Sequence, residues 1–452
     1  MVKTYNFVSI LISFFCFIIL VVTQPSIESL INISNIKIWL SVGIGILIMY
    51  FFLLNPSGYG SITTLFITGY MIVHFQWGLM ITLSEDAALL FLGFRSYEDY
   101  FPFAIWLSSL GAVCFVFGFS LINVRPINNQ IKIPNLEITT VIYFLILFLT
   151  LLFILVAGPS YFDGSDYSDG GMDAISGFEG YIHKILKPLI SIAIIDLVCR
   201  SIRSNNFSIL NLFFYHPLRM FVISLYIFIF LISGDRGEVL QPILVGLILY
   251  NYFVSKITLY KYILIVLLGS FVLSFIGVAR AGNTSDFAIL SLADLTLNLA
   301  QSNRALLYAI SDTYINGFHY GKLWISSFLS TIPGTQSILI NLTDLTRFDI
   351  NSSTYITFIR YGDNPHTGVG STIVADIFLN FGTLGTCFFF IFLGIFFAKM
   401  ESWFYSQNPV FLLTAILFGS MGLFVARDTL FGPFSFIIWA LAAFLIFKRV
   451  KI

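Results

Sequence analysis

The chain has 452 residues, of which 58% are apolar and only 10% are charged. A soluble domain carries far more charge on its surface, so this composition excludes a soluble globular protein and indicates an integral membrane protein. Lys plus Arg and Asp plus Glu both total 23, so no overall basicity suggests nucleic acid as a partner. The four cysteines show no CxxC or Cys/His spacing, which argues against a zinc site and a disulfide framework.

Apolar runs follow one another along the chain, each close to the roughly 20 residues that a membrane-crossing helix needs. The sequence therefore predicts a single all-α, polytopic membrane domain over residues 1–452, with about 12 transmembrane helices. The first run lacks a small-x-small cleavage site, so we expect it to be retained. The predicted spans are residues 7–23, 36–54, 61–82, 101–123, 138–157, 183–199, 217–233, 239–255, 260–279, 368–397, 409–426 and 433–448.

The positions of the basic residues predict that both termini are cytoplasmic. With that orientation, 12 of the 23 Lys and Arg residues fall in short cytoplasmic connections, as the positive-inside rule requires. The long connections, residues 83–100, 158–182 and about 280–367, then lie outside the membrane. We therefore expect the active site on the outer face.

The longest outer loop, residues 280–367, is predicted to contain helices. Phe287 and Leu290 begin a series of apolar residues near helical spacing, which indicates two helices that lie on the membrane surface or dip into it. An extra pair of spans is the alternative. It would place Asp294 and Arg304 in lipid, which is costly.

Seven arginines fall on the predicted outer side, and several lie where a span meets a loop. Guanidinium groups bind phosphate through paired hydrogen bonds and stay charged at any relevant pH. A lipid-linked diphosphate at the membrane surface would suit such a set. The alternative is that these arginines reach toward lipid headgroups and pair with neighbouring carboxylates, as Arg427 would with Asp428. The candidates for diphosphate binding are Arg236, Arg280, Arg304, Arg360 and Arg427.

The candidates for the proton acceptor of a transfer reaction are Asp235, Glu238, His366, Asp376 and Asp428. Asp376 lies well inside the tenth run, and an ionisable group at that depth is costly enough to suggest a function. His366 lies beside Gly368, where a helix N-terminus would offer unpaired amides to an anion. We expect Asp376 to accept the proton and rank His366 second. A salt bridge between Asp376 and an arginine is the alternative.

The sequence offers no support for metal or nucleotide chemistry. The acidic loop at residues 163–173 superficially resembles a calcium loop but lacks the alternating ligands and the final glutamate. No nucleotide-binding loop, HExxH, GxSxG or Asp-x-Asp motif occurs, which disfavours an ATPase, a metalloprotease, a serine hydrolase and a nucleotide-sugar transferase. We therefore expect no metal and no cofactor.

Three segments carry a resemblance to a known family. They are SGDRGEVL at residues 233–240, HTGVGSTIVADIFLNFGTLG at residues 366–385 and VARD at residues 425–428. Taken together they resemble the Wzy-type O-antigen polymerases, which join lipid-linked oligosaccharide repeat units outside the cytoplasmic membrane of Gram-negative bacteria. The family pattern usually has Glu where this chain has Asp376, so the side chain here is one methylene shorter.

The resemblance implies a GT-C-like glycosyltransferase in the inner membrane, with its active site facing the periplasm. The donor would be a growing glycan on undecaprenyl diphosphate, and the acceptor a single repeat unit on the same lipid. A flippase and a chain-length regulator are further partners that it suggests. The arginines would stabilise the departing diphosphate, and Asp376 or His366 would take the proton from the acceptor hydroxyl.

Two alternatives to a polymerase stay open. An O-antigen ligase would use the same donor and transfer the glycan to lipid A core. A transporter of polysaccharides or small molecules would be expected to show inverted repeats and interrupted helices. No convincing internal repeat is visible in the sequence, and the large outer loop favours an enzyme.

Overall fold

The computed structural model describes residues 2–55, 57–84, 97–124, 136–158, 161, 178–203, 209–233, 236–280, 294–329, 331–332, 335–343, 345–346, 348–365, 368–406 and 408–448. Over these residues the protein is helical, and the β-type pairing is limited to an isolated bridge between Ile138 and Lys448. The all-α expectation is confirmed.

The helices follow the apolar runs closely. In chain order they are α1 (Val2–Val22), α2 (Ile33–Met49), α3 (Ile62–Leu83), α4 (Phe101–Ser120), α5 (Val141–Ala157), α6 (Phe178–Arg203), α7 (Ile209–Tyr215), α8 (Pro217–Ile232), α9 (Arg236–Phe253), α10 (Leu259–Arg280), α11 (Asp294–Ala300), α12 (Arg304–Asn316), α13 (Lys322–Leu329), α14 (Thr335–Leu342), α15 (Ser352–Tyr361), α16 (Ile373–Trp403), α17 (Pro409–Ser420), α18 (Gly422–Val425) and α19 (Gly432–Phe447). A π-helical turn, Tyr50–Leu54, extends α2.

Several of these helices have the length and composition of membrane spans. Within the described ranges, five helical stretches are long and apolar enough to cross a membrane: Tyr5–Val22, Ile33–Leu54, Ile62–Leu83, Glu98–Ser120 and Ile373–Trp403. Shorter apolar helices, among them α5, α8, α17 and α19, accompany them. Helices suit lipid because they satisfy their backbone hydrogen bonds internally. The chain is a multi-pass membrane protein, while the count of 12 crossings stays a prediction.

Helix α4 lies at the centre of the bundle and packs closely against α16. Nearly all of its residues are buried. Glycines allow the two backbones to touch, as small residues do between membrane helices. A Cβ atom at Gly118 would lie 2.1 Å from the carbonyl oxygen of Ile391, and one at Gly394 would lie 2.1 Å from that of Phe115. This contact fixes the position of α16, which carries Asp376.

Helix α16 is broken at Gly382, whose φ of 66° and ψ of −159° are not helical. The break frees carbonyl groups one turn earlier. The N–H groups of His319 and Tyr320 donate to the carbonyl oxygens of Leu379 and Asn380 over 3.1 and 2.9 Å. The connection between α12 and α13 therefore replaces the hydrogen bonds that the break removes, as backbone inside a membrane protein requires.

The predicted outer loop contains more helices than the two expected. Five, α11 to α15, lie in its described part. Glycines with positive φ end two of them, Gly317 (83°) after α12 and Gly362 (70°) after α15, because glycine adopts this conformation without steric cost. Helix α11 packs on a span, since Thr296 Oγ1 donates to Gln76 Oε1 of α3 over 2.7 Å. Phe287 and Leu290 lie outside the described residues.

Candidate functional site

Asp376 lies in the first turn of α16 and is completely buried. Its carboxylate accepts three hydrogen bonds. Trp324 Nε1 donates over 2.9 Å, the Leu430 N–H donates over 2.8 Å, and the Ser352 hydroxyl also donates. These partners come from α13, from the start of α15 and from the turn between α18 and α19. A salt bridge between Asp376 and an arginine, the alternative weighed from the sequence, does not occur within the described part of the chain.

A polar cavity of about 220 Å³ lies beside these hydrogen bonds. Ser327 of α13, Asn351 and Ser353 at the start of α15, and Asp428, Thr429 and Phe431 of the turn contribute to its lining. Each partner of Asp376 is close in sequence to part of this lining. We call the side of the bundle that holds Asp376 and this cavity the Asp376 end.

Asp428 brings a carboxylate to the cavity wall. Its Oδ1 accepts a 2.7 Å hydrogen bond from the N–H of Thr429. Burial raises the pKa of the Asp428 carboxyl above its ordinary value, and the Thr429 N–H with the positive charges of Lys187 and Arg427 offsets part of that rise. The ion pair between Arg427 and Asp428, which is the alternative to diphosphate binding, is not formed over the described residues, and the Arg427 side chain is exposed.

Glu238, in the first turn of α9, sits in a second polar cluster. The Lys187 ammonium of α6 donates to Glu238 Oε1 over 2.6 Å, and the Tyr226 hydroxyl of α8 donates to Oε2 over 2.6 Å. His183 Nε2 lies 3.5 Å from the same carboxylate. The positive charge of Lys187 also offsets part of the rise in the pKa of the Asp428 carboxyl at the cavity wall.

The candidate arginines do not all have described side chains. Arg236 is the first residue of α9 and Arg280 the last of α10, and of their side chains nothing is described. His366 lies outside the described residues, as does the acidic loop at residues 163–173. Arg427 occupies the turn after α18. The predicted convergence of all five arginines therefore stays a prediction.

Arg304 and Arg360 do approach a common neighbour, Tyr308. Arg304 opens α12 and donates to Gln301 Oε1 over 3.0 Å, while the Arg360 guanidinium of α15 lies 5.7 Å from the centre of the Tyr308 ring. Burial raises the pKa of the Tyr308 phenol, and the charges of Arg360 and Arg304 offset part of that rise. The charges of two arginines from different helices thus act on the same phenol, and their binding of phosphate stays a prediction.

Two further buried carboxylates, Glu401 and Asp196, lie at the opposite end of the bundle and have partners there. Glu401, near the end of α16, accepts hydrogen bonds from the Thr63 N–H over 3.1 Å and the Thr63 hydroxyl over 2.8 Å. Asp196 pairs with Arg200 at 2.8 Å, as its spacing of one helical turn predicts. These groups join helices together and lie away from the cavity.

Sequence reasoning missed Lys187 and the polar partners of Asp376. A signal existed for Lys187, because a charged residue within an apolar run is a functional candidate by default. No signal marked Trp324 or Ser352, since their role depends on contacts across 52 and 24 residues of sequence. Among the described residues, no group of three or more His, Cys, Asp or Glu side chains is placed to hold a metal ion.

The fold and the site show the class of this protein. It is a polytopic helical membrane protein with buried carboxylates and a polar cavity at one end of its bundle. The sequence model of the family described as O-antigen polysaccharide polymerase Wzy matches residues 5–450. The chain belongs to this family, whose members act on lipid-linked oligosaccharide repeat units. No curated protein and no solved structure matches the chain.

Proposed function

We propose that this protein is an O-antigen polymerase. It transfers a growing glycan from undecaprenyl diphosphate to a single repeat unit carried on the same lipid, at the periplasmic face of the inner membrane. The membrane-protein character and the family fit this role. The donor, the acceptor and the side of the membrane are the parts that we propose.

One observation carries the proposal, which is that the second and third motif segments meet at the Asp376 end, with the first segment close to the third. Asp376 of the second segment binds the Leu430 N–H, two residues beyond Asp428 of the third segment. Gln241, the residue after the first segment, donates to Ser420 Oγ of α17 over 2.9 Å, and Ser420 lies five residues before the third segment. These segments are far apart in sequence, so their meeting is a property of the fold, and it supports a common site.

In the proposed site, arginines bind the diphosphate and another side chain accepts the proton of the acceptor hydroxyl. Arg427 and Arg236, both at ends of helices near the meeting segments, would stabilise the negative charge on the departing diphosphate. Arg304, Arg360 and Arg280 complete the set that the sequence proposes. The sequence proposes Asp376 as the proton acceptor, followed by His366.

The break in α16 at Gly382 is the observation that favours a transporter, because interrupted helices are typical of that class. However, the freed carbonyls of Leu379 and Asn380 already accept hydrogen bonds from the connection at His319 and Tyr320. Each of these carbonyls therefore has a hydrogen-bond partner within the fold, so the break needs no bound ion to satisfy them. This supports the enzyme over the transporter.

A deletion strain tests the function and separates it from that of a ligase. Loss of a polymerase leaves lipopolysaccharide cores that carry one repeat unit, whereas loss of a ligase leaves bare cores. We expect single-repeat cores, and restoration of the full ladder by the wild-type gene. Bare cores would indicate a ligase. An unchanged ladder would refute both the polymerase and the ligase function.

A further inference from the structure

The cavity beside Asp376 has the chemistry of a sugar site. Its polar lining is made of hydroxyl groups and an amide, together with the carboxylate of Asp428. A carboxylate repels phosphate, so the diphosphate belongs elsewhere. Sugar hydroxyls can donate to the carboxylate and exchange hydrogen bonds with Ser327, Ser353 and Asn351, while Phe431 offers an apolar surface to the carbon face of a sugar ring.

The size of the cavity restricts the ligand further. At about 220 Å³ it is smaller than the roughly 300–1,000 Å³ of sites that take drug-sized molecules. It therefore suits one sugar ring rather than a whole oligosaccharide. In the proposed reaction, the ring that must be held in a fixed position is the one whose hydroxyl attacks the donor.

We infer that this cavity binds the acceptor sugar of the repeat unit and that Asp428, rather than Asp376, accepts the proton from its hydroxyl. This inference rests on the proposed function and deepens it. The acceptor oxygen forms a bond to the anomeric carbon of the donor sugar, while the bond from that carbon to diphosphate breaks and the diphosphate leaves with the electron pair. The hydroxyl proton passes to the Asp428 carboxylate and then to water.

The contacts of the two aspartates distinguish their roles. Asp376 is completely buried and uses three of the roughly four acceptor positions of a carboxylate. Asp428 lines the cavity, and among the described residues its hydrogen bonding is limited to the Thr429 N–H on Oδ1. Within this part of the chain Oδ2 accepts no hydrogen bond and can therefore meet a ligand. The raised pKa of Asp428 also makes it a stronger base than an ordinary carboxylate.

Asp376 is therefore a positioning residue, because it binds the three segments that line the cavity. Trp324 lies one helical turn before Ser327, Ser352 lies between Asn351 and Ser353, and Leu430 lies between Thr429 and Phe431. The hydrogen bonds of Asp376 to these three residues fix the lining on either side of them. A change at Asp376 should therefore weaken acceptor binding first.

The decisive comparison is between Asp428→Asn and Asp376→Asn in purified protein supplied with lipid-linked repeat units. We expect Asp428→Asn to lower kcat about a hundredfold or more, with donor binding unchanged. In the wild type, the rate should fall at acid pH because Asp428 becomes protonated. The residual activity of Asp428→Asn should lack this acid-side fall. Asp376→Asn should raise the KM for the acceptor about tenfold or more and keep the acid-side fall. Wild-type kcat in Asp428→Asn, or loss of the acid-side fall in Asp376→Asn, would overturn the inference.

Gly432 provides a test that leaves both carboxylates in place. A Cβ atom at Gly432 would lie 2.4 Å from Asp428 Oδ2, whereas a Cβ atom at Gly246 of α9 meets nothing within 4 Å. Gly432→Ala should displace the Asp428 side chain and lower turnover at least tenfold, while Gly246→Ala, the matched control, should behave as wild type. Equal activity of both variants would contradict the inference. If the wild-type protein itself does not polymerise the units, the proposed function fails instead.

Discussion

The backbone N–H of Leu430 donates a 2.8 Å hydrogen bond to the carboxylate of Asp376, across 54 residues of sequence. This hydrogen bond holds the turn that contains Arg427 and Asp428 against the first turn of α16. A hydrogen bond to a carboxylate is charge-assisted and therefore stronger than one between neutral groups. The position of the turn, and with it the geometry of the proposed site, depends on this contact.

The first prediction concerns topology. Reporter fusions after Gly282 and Gly362 should be periplasmic, and those after Asn129, Asn206 and Ile452 should be cytoplasmic, because the basic residues favour this orientation. Paired periplasmic and cytoplasmic reporters at each position provide the control. A cytoplasmic signal at position 362 would place the Asp376 end on the wrong side for a periplasmic reaction.

The second prediction concerns the arginines. Arg236→Ala and Arg427→Ala should lower polymerisation about a hundredfold, because loss of one charge-assisted contact to the leaving group costs about 2–4 kcal/mol. Lysine should be a poor replacement, since it lacks the paired donors of a guanidinium group.

The lipopolysaccharide ladder measures this effect, with immunoblots of the membrane fraction to verify insertion. Lys261→Ala is the control for loss of an exposed positive charge on α10, and it should give a normal ladder. Normal ladders from both arginine variants would remove these residues from the site.

The third prediction concerns the break in α16. Gly382 has φ and ψ values that are almost restricted to glycine, and a Cβ atom there would lie 2.7 Å from Phe318 Cζ. Gly382→Ala should therefore reduce stability by about 1–3 kcal/mol. Thermal unfolding in detergent measures the change. Gly269→Ala, at a helical position where a Cβ atom meets nothing within 4 Å, is the matched control, and an equal melting temperature for the two variants would contradict the strain argument.

The fourth prediction concerns Asp349, before the start of α15. Burial alone would raise its pKa, but hydrogen bonds from Thr346 and the ion pair with Lys322 at 3.0 Å outweigh burial, and the pKa is lowered. A carboxyl group with a lowered pKa stabilises the folded state above its unfolded pKa of about 3.9. That contribution should be lost as the pH falls from this value through the lower folded pKa.

Melting temperatures of the wild type and Asp349→Asn, measured across this pH range, test the point. The difference between the two proteins should be largest at neutral pH and shrink in acid. A difference that is independent of pH would show that the Asp349 charge does not stabilise the fold.

The sequence by itself determined the class of protein and the positions of the helices in its apolar runs, while the outer loop has five helices in its described part where two were expected. Runs of about 20 apolar residues have few stable structures other than helices in a membrane, and each predicted run is helical in the structure. The same pattern could not predict the break at Gly382. A glycine within an apolar run is compatible with a continuous helix, and only the contact with Phe318 and the freed carbonyls reveal the break.

The tertiary structure alone decided what each polar residue contacts. The depth of Asp376 in its run marked it as important, but depth does not distinguish a proton acceptor from a residue that holds three segments together. That distinction depends on donors from Trp324, Ser352 and Leu430, which lie 24 to 54 residues away in sequence. Lys187 and Glu238 meet for the same reason. The hydropathy of the sequence predicts which segments leave water. Hydrogen bonds between side chains depend on which helices become neighbours, and the packing of the whole chain determines those neighbours.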